Sequence, residues 1–211
     1  MLGIHDLPLF IASGLLLNIA PGPDSLLIMS RSASQGWRAG SAAALGIGAG
    51  TLIHVAAAAL GLSALLATSA TAFSVVKYIG AAYLLYIGAS MLLKRGAGND
   101  AAEMAAPAPA SQRQLFLQGL MTNLLNPKVA LFFLAFVPQF ISPEAPNKPL
   151  AFIVLGAIFD FNGMLWCHFL AVSTALASTR LRPSARLAAW LNRAIGALFL
   201  SFGLKLALAE R

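Results

Sequence analysis

Three of the few ionisable side chains in this 211-residue chain sit inside apolar runs. Asp24 lies in "NIAPGPDSLL", Lys128 in "TNLLNPKVALFF" and Asp160 in "FDFNGMLWCHF". An Asp at the centre of a bilayer costs about 2.5–3.5 kcal/mol on insertion scales, so such a residue is a functional candidate by default. A carboxylate can hold an ammonium or a proton, and an ammonium can hold a carboxylate. Together they suit a small zwitterion. Other chemistries are poorly served. The three histidines and the one cysteine are widely scattered and form no metal-ligand spacing. There is no G-x-S-x-G, no P-loop and no paired-carboxylate motif, and Ser25 has no local catalytic context. The expectation is a protein that is not an enzyme and carries no cofactor or metal.

The surroundings of Asp24 and Lys128 are more specific than their charges. A proline inside a helix removes a backbone hydrogen bond and clashes with the preceding turn. In lipid the freed groups find no water, so such a break survives only in protein or against a wet cavity. In "APGPD", Gly22 can cap a restarted helix and Pro23 fits its first position, where a missing N–H costs nothing. Asp24 and Ser25 then fall in the first turn, where the positive helix end favours a carboxylate. Pro21 closes the first limb. Asp24 either caps the second limb or faces a substrate ammonium. Ser or Asn would cap at far lower cost, which favours the second reading. "LLNPK" repeats the logic, with Asn126 as the cap and Pro127 as the first helical residue. Fourteen Leu, Ile, Phe and Val residues between 115 and 140 supply roughly −4 to −8 kcal/mol of insertion energy, against about +3 for Lys128. Lys128 either snorkels to an interface or faces inward, to bind a carboxylate or pair with Asp24.

In the fifth apolar run Asp160, Met164 and His168 share one helical face, and Asn162 lies off it. Asp160 is read as a proton-coupling or cation-binding group, or as a structural hydrogen-bonding one. His54 follows Gly46 and Gly50 at four-residue spacing. The glycines mark a close helix-packing face, on which a lone His serves structure more often than function.

The elements that must carry these residues are membrane helices. Residues are 59% hydrophobic and only 10% charged, whereas soluble domains are nearer half apolar and a quarter charged. Six runs have the roughly 20-residue length of a span: about 7–30, 40–67, 73–93, 114–141, 149–177 and 187–208. The first reads as a retained helix, not a cleaved signal, because no basic segment precedes it. The lone Cys167 cannot form an intrachain disulfide. The net charge of +7 is distributed by topology. Nine Lys and Arg fall in the loops after spans one, three and five, against two after spans two and four. This positive-inside bias places the former loops in the cytoplasm and both termini outside, although Lys205 and Arg211 run against it. The basic surplus therefore marks orientation, not a nucleic-acid-binding face.

"GAGNDAAEMAAPAPASQR", Gly96 to Arg113, reads as a flexible linker between residues 1–95 and 114–211, three spans each. The halves resemble each other. "GLLLNIAPGPD" from Gly14 aligns with "GLMTNLLNPK" from Gly119, which pairs Asn18 with Asn123. "IGAAYLLYIGASMLL" from Ile79 aligns with "IGALFLSFGLKLAL" from Ile195. A three-span unit and its copy have opposite orientations. Inverted repeats with interrupted helices at matching positions are the best sequence pointer to a transporter's binding site.

At these residues the sequence resembles the LysE/RhtB family of amino-acid exporters. The stretch "APGPDSLLIMSRSASQGWRAGSAAALGIGAGTLIHVAAAALGL" is similar to the family's first two spans, and "FLQGLMTNLLNPKVALFFLAFVPQF" to its fourth. The resemblance covers nearly the whole chain. It implies an inner-membrane exporter of amino acids or derivatives, driven by the proton-motive force. By position, the family's proline-break motifs fall on Pro21, Gly22, Pro23 and Asp24, and on Asn126, Pro127 and Lys128. One departure touches coupling and substrate charge: many members carry an acidic residue near the position of Thr51.

The expectation is thus an all-α integral membrane protein, a single transmembrane domain over 1–211. It has six helices in two inverted three-helix repeats, with helices 1 and 4 broken by proline. The expected substrate-binding or coupling residues are Asn18, Pro21, Gly22, Pro23, Asp24, His54, Asn123, Asn126, Pro127, Lys128 and Asp160. Partners are a zwitterionic solute and membrane lipid, with a homo-oligomer left open. The alternatives are export of another small solute or cation of the same superfamily, and a channel-like or non-transporting membrane subunit.

Overall fold

Helices form where the sequence runs apolar and stop where proline or glycine interrupts it. The computed structural model describes residues 2–62 and 108–177, with isolated helical positions between 75 and 92 and between 193 and 204. Helix α1 (Leu7–Ile19) ends two residues before Pro21. Helix α2 (Pro23–Gln35) starts at Pro23 behind Gly22, its cap. Helix α3 (Trp37–Ala57) runs on into a π-helical turn, Ala58–Leu62. Helix α4 (Gln112–Leu124) opens with a reciprocal capping box between Ser111 and Gln114. Helix α5 (Pro127–Leu131) continues through a π-helical turn, Phe132–Phe136, and a 3-10 turn, Val137–Phe140. Helix α6 (Lys148–Ala177) has 30 residues. The described residues contain no strand, only an isolated antiparallel bridge between Ile4 and Ile141.

Both proline breaks bend the chain by nearly the same amount. α1 and α2 meet at 52°, and α4 and the α5 segment at 49°. The α3 segment through Gly61 and α6 are each long and apolar enough to cross a membrane, and each bent pair supplies another span if its limbs count as one. These four elements match the expected spans one, two, four and five. The expected spans at 73–93 and 187–208 lie outside the described residues apart from the isolated helical positions, as does linker segment 96–107.

The turn from α2 to α3 rests on Gly36, the end of one helix and the cap of the next. Its φ of 83° is a conformation that favours glycine. α3 then packs backbone to backbone on α4. A methyl group on Gly46 would fall on the Phe116 carbonyl, and one on Gly119 on the Ala43 carbonyl. In lipid, helices associate through such close van der Waals approach, not through a hydrophobic driving force. The packing face expected from Gly46 and Gly50 is therefore present, and α4 is what it packs against.

Aromatic rings fill the other contact region, between α1, the α5 segment and α6. Phe132 stacks on Phe159 at 4.5 Å, and Phe10 meets Phe140 edge-on at 5.3 Å. α6 has two unlike faces. Phe161, Leu165, Phe169 and Leu176 are exposed along one side, while Asp160, Met164 and Cys167 look inward on a cleft. Asp160, the charged residue of this helix interior, is thus kept off the exposed apolar side, as an ionisable group in a membrane helix must be.

Candidate functional site

The site is built from the two bends. α1 ends inside the protein, and its last carbonyls have no partner further along the helix. Ala20 N–H donates to the Leu16 carbonyl at 2.9 Å. The next free carbonyls, of Leu17 and Ala20, each accept from Lys128 Nζ at 3.1 Å. Lys128 thus reaches from the second bend to the first. It does not extend toward an interface as a snorkelling lysine would.

Asp24 makes the opposite crossing. Its Oδ2 accepts from Asn123 Nδ2 at 2.9 Å and from Asn126 Nδ2 at 3.2 Å. The carboxylate therefore faces the second bend, and the reading of it as a cap for its own helix does not describe these contacts. Asn126 is doubly used: its Oδ1 accepts from Lys128 N–H at 3.0 Å and so caps α5. The direct Asp24–Lys128 ion pair considered from the sequence is absent; among the described residues the only ion pair joins His5 and Asp6. The physical reason is the amides and carbonyls themselves. A direct pair would strand two buried amide donors and two helix-end carbonyls, each costly in a low-dielectric site.

Asn123, fully buried, is held on every side. Its carbonyl oxygen lies 3.2 Å from His54 Nε2, an arrangement that needs the proton on that nitrogen. Thr51 Oγ1 lies 3.5 Å from Asn123 Oδ1 and 3.2 Å from the Ile47 carbonyl. His54 also stacks on Phe133, with ring planes 5° apart. His54 is therefore placed behind the cleft and steadies Asn123, which in turn holds Asp24.

The two bends and the inner face of α6 line one cleft. Asn18, Asp24, Ser25, Thr51, Asn123, Lys128 and Asp160 give it polar groups. Leu17, Ile47, Val129, Phe159, Met164 and Cys167 give it apolar wall. Asp24 Oδ1 is buried and accepts no hydrogen bond from any described residue. A buried carboxylate oxygen in that state is a strong acceptor waiting on a donor.

The cleft brings together five residues expected from the sequence: Asn18, Asp24, Asn123, Lys128 and Asp160. Asn18 also donates to the Phe159 carbonyl, at 3.5 Å. Pro21, Gly22, Pro23, Asn126, Pro127 and His54 do not line it; they shape the bends or support Asn123. Of the face expected on α6, Asp160 and Met164 border the cleft, while His168 Nδ1 turns back to the Met164 carbonyl at 2.9 Å. Sequence reasoning missed Gly48, Gly163 and the part played by Thr51. A methyl on Gly48 would crowd Met164 Sδ at 2.6 Å, and one on Gly163 would crowd Asn18, so both glycines keep the cleft open. Thr51 carried a usable signal, as the only hydroxyl between Ser41 and Ser63.

The family model described as LysE type translocator matches residues 15–210. An uncharacterized membrane protein of Pseudomonas aeruginosa is 36% identical over 210 residues, which cover 99% of this chain and 97% of that one. Leucine efflux proteins of Salmonella choleraesuis and Salmonella typhimurium are each 31% identical over 207 residues, covering 97% of this chain and 96% of theirs. No solved structure matches. Members of the matched family are transporters and not enzymes. With its bent apolar helices, its inward polar cleft and a match running almost end to end, the chain belongs to the LysE type translocator family.

Proposed function

We propose that this protein exports an amino acid with an apolar side chain across the bacterial inner membrane, coupled to the proton gradient. The observation that carries the reading is the cleft between the bends. It sets a carboxylate with an unused oxygen, an ammonium with an unused N–H and an apolar wall around one space. Asp24 Oδ1 takes the substrate ammonium, and the third N–H of Lys128 takes its carboxylate. Leu17, Ile47, Val129 and Met164 receive the side chain. Asn18 and Asn123 orient the substrate, and Asp160 carries the coupling proton. Pro21, Gly22, Pro23, Asn126 and Pro127 form the bends, and His54 positions Asn123. The leucine efflux relatives support this substrate class.

In this reading residues 1–95 and 114–211 are inverted three-helix repeats joined by a cytoplasmic linker, and both termini are extracytoplasmic. The repeats rock against each other and open the cleft to each side in turn. Support comes from the near-equal bends of 52° and 49° and from the nine-to-two distribution of Lys and Arg among the loops.

The test is efflux of labelled leucine from proteoliposomes loaded with it, with and without an imposed proton gradient. Gradient-accelerated efflux is expected, and unlabelled amino acids with apolar side chains compete. Efflux that ignores the gradient would remove proton coupling. No efflux of any amino acid across a full panel would remove the exporter reading.

A further inference from the structure

The broken end of a half-helix inside a membrane presents bare carbonyls, the negative pole of the helix dipole. Transporters with discontinuous helices use such ends to coordinate monovalent cations. The end of α1 is of this kind, and its free carbonyls already have a cationic partner. Lys128 Nζ sits 3.1 Å from the carbonyl oxygens of Leu17 and Ala20. Gly22 makes room for it: a methyl there would lie 3.2 Å from Nζ and 3.7 Å from Cε. Asp24 stands on the same cleft wall.

We propose that Lys128 is a tethered monovalent cation, its ammonium filling the position at the end of α1 where a free cation would otherwise be coordinated. The idea deepens the exporter reading, and only its transport arm rests on that reading. Three features of the site favour an ammonium over a diffusible ion. The tether arrives from the opposite bend, so the charge joins the two bends while it satisfies the carbonyls. The lysine stem runs past a residue without a side chain. Two of the three ammonium donors meet carbonyls, which leaves one for a ligand. The protein therefore needs neither sodium nor potassium at this position. Shortening the side chain to alanine leaves a place that a free small cation can take.

The experiment has two arms. In the first, wild-type protein and Lys128→Ala are purified in detergent, and melting is followed in sodium, potassium, n-propylammonium or choline chloride at matched ionic strength. Wild type is expected to melt at one temperature in all four salts. Lys128→Ala is expected to melt several degrees lower in choline and to recover at least half of the loss in propylammonium or sodium. A wild type stabilised selectively by sodium would overturn the proposal. So would a Lys128→Ala protein that no small cation stabilises above choline. In the second arm, leucine efflux by Lys128→Ala is expected to fall at least tenfold in choline and to rise with propylammonium. Lys128→Gln can still donate to the carbonyls but lacks charge, and it keeps the test open if the alanine variant does not fold. Wild-type efflux in Lys128→Gln would overturn the proposal, and a loss of tenfold or more supports it. If wild type itself exports no amino acid, the exporter reading fails, while the melting arm still decides the tethered cation.

Discussion

Asp24 and Lys128 each follow the proline that opens a helix, and each directs its charge to the other's bend. Asp24 takes the amides of Asn123 and Asn126, and Lys128 takes the carbonyls of Leu17 and Ala20. The two bends are therefore cross-braced. Neither completes its own hydrogen bonding without the other.

Asn123 is the most heavily used neutral residue in this bracing. Asn123→Ala removes a charge-assisted hydrogen bond from a buried carboxylate and should destabilise the protein by about 1.5–3 kcal/mol. Melting of the purified variant in detergent measures this. Leu125→Ala, at a position 80% exposed, is the comparison and should stay within about 0.5 kcal/mol of wild type. Equal melting of the two variants would show that Asn123 holds nothing of importance.

Asp24→Asn keeps the size of the side chain and removes its charge. The unused oxygen at the cleft is then no longer anionic. Leucine efflux should fall at least tenfold while folded protein is still recovered. Undiminished efflux would reduce Asp24 to a brace without a role in binding.

Asp160 borders the cleft, and no hydrogen bond or ion pair ties its carboxylate to a described residue. Asp160→Asn should leave melting within about 0.5 kcal/mol of wild type. Gradient-driven efflux should drop severalfold, while exchange of labelled for unlabelled leucine at equilibrium persists. Loss of both activities together would assign Asp160 to substrate binding instead of proton coupling.

Gly46 tests the helix contact that sets the register of Asn123. A methyl there meets the Phe116 carbonyl, so α3 and α4 must separate. Gly46→Ala should cost about 1–3 kcal/mol or more, seen as lower melting and as loss of leucine efflux. A methyl on Gly61 meets nothing within 4 Å. Gly61→Ala should therefore be neutral, or stabilise by about 0.4–1 kcal/mol through the unfolded chain. Indifference to Gly46→Ala would refute the tight crossing.

The bends themselves were legible because they rest on local chemistry. Gly22 and Asn126 cap, and Pro23 and Pro127 open their helices, as their residue types require. The packing face of Gly46 and Gly50 was legible from its spacing. The partners of the charges were not. Opposite signs at two breaks suggested a direct pair, yet the unsatisfied amides and carbonyls of the bends compete for the same groups and win. The roles of Thr51 and His54 were hidden for a different reason. Both depend on the rotation of α4 against α3, which the approach at Gly46 and Gly119 fixes and which no periodicity within an all-apolar helix reveals.

The cross-bracing also bears on how the protein is made. The bonds that close the first bend span 99 to 111 residues of chain. A ribosome delivers α1 and α2 long before it delivers Asn123 or Lys128. During that interval the first bend has a charged carboxylate and bare carbonyls with no native partner, a state costly in hydrocarbon. The nascent bend must therefore wait in a watery or protein-lined environment, or lodge only partway across the bilayer. Its hydrogen bonding is completed only when the second bend arrives. Biogenesis of this protein thus has a built-in checkpoint: its first membrane element is not finished until its fourth expected span has been synthesised.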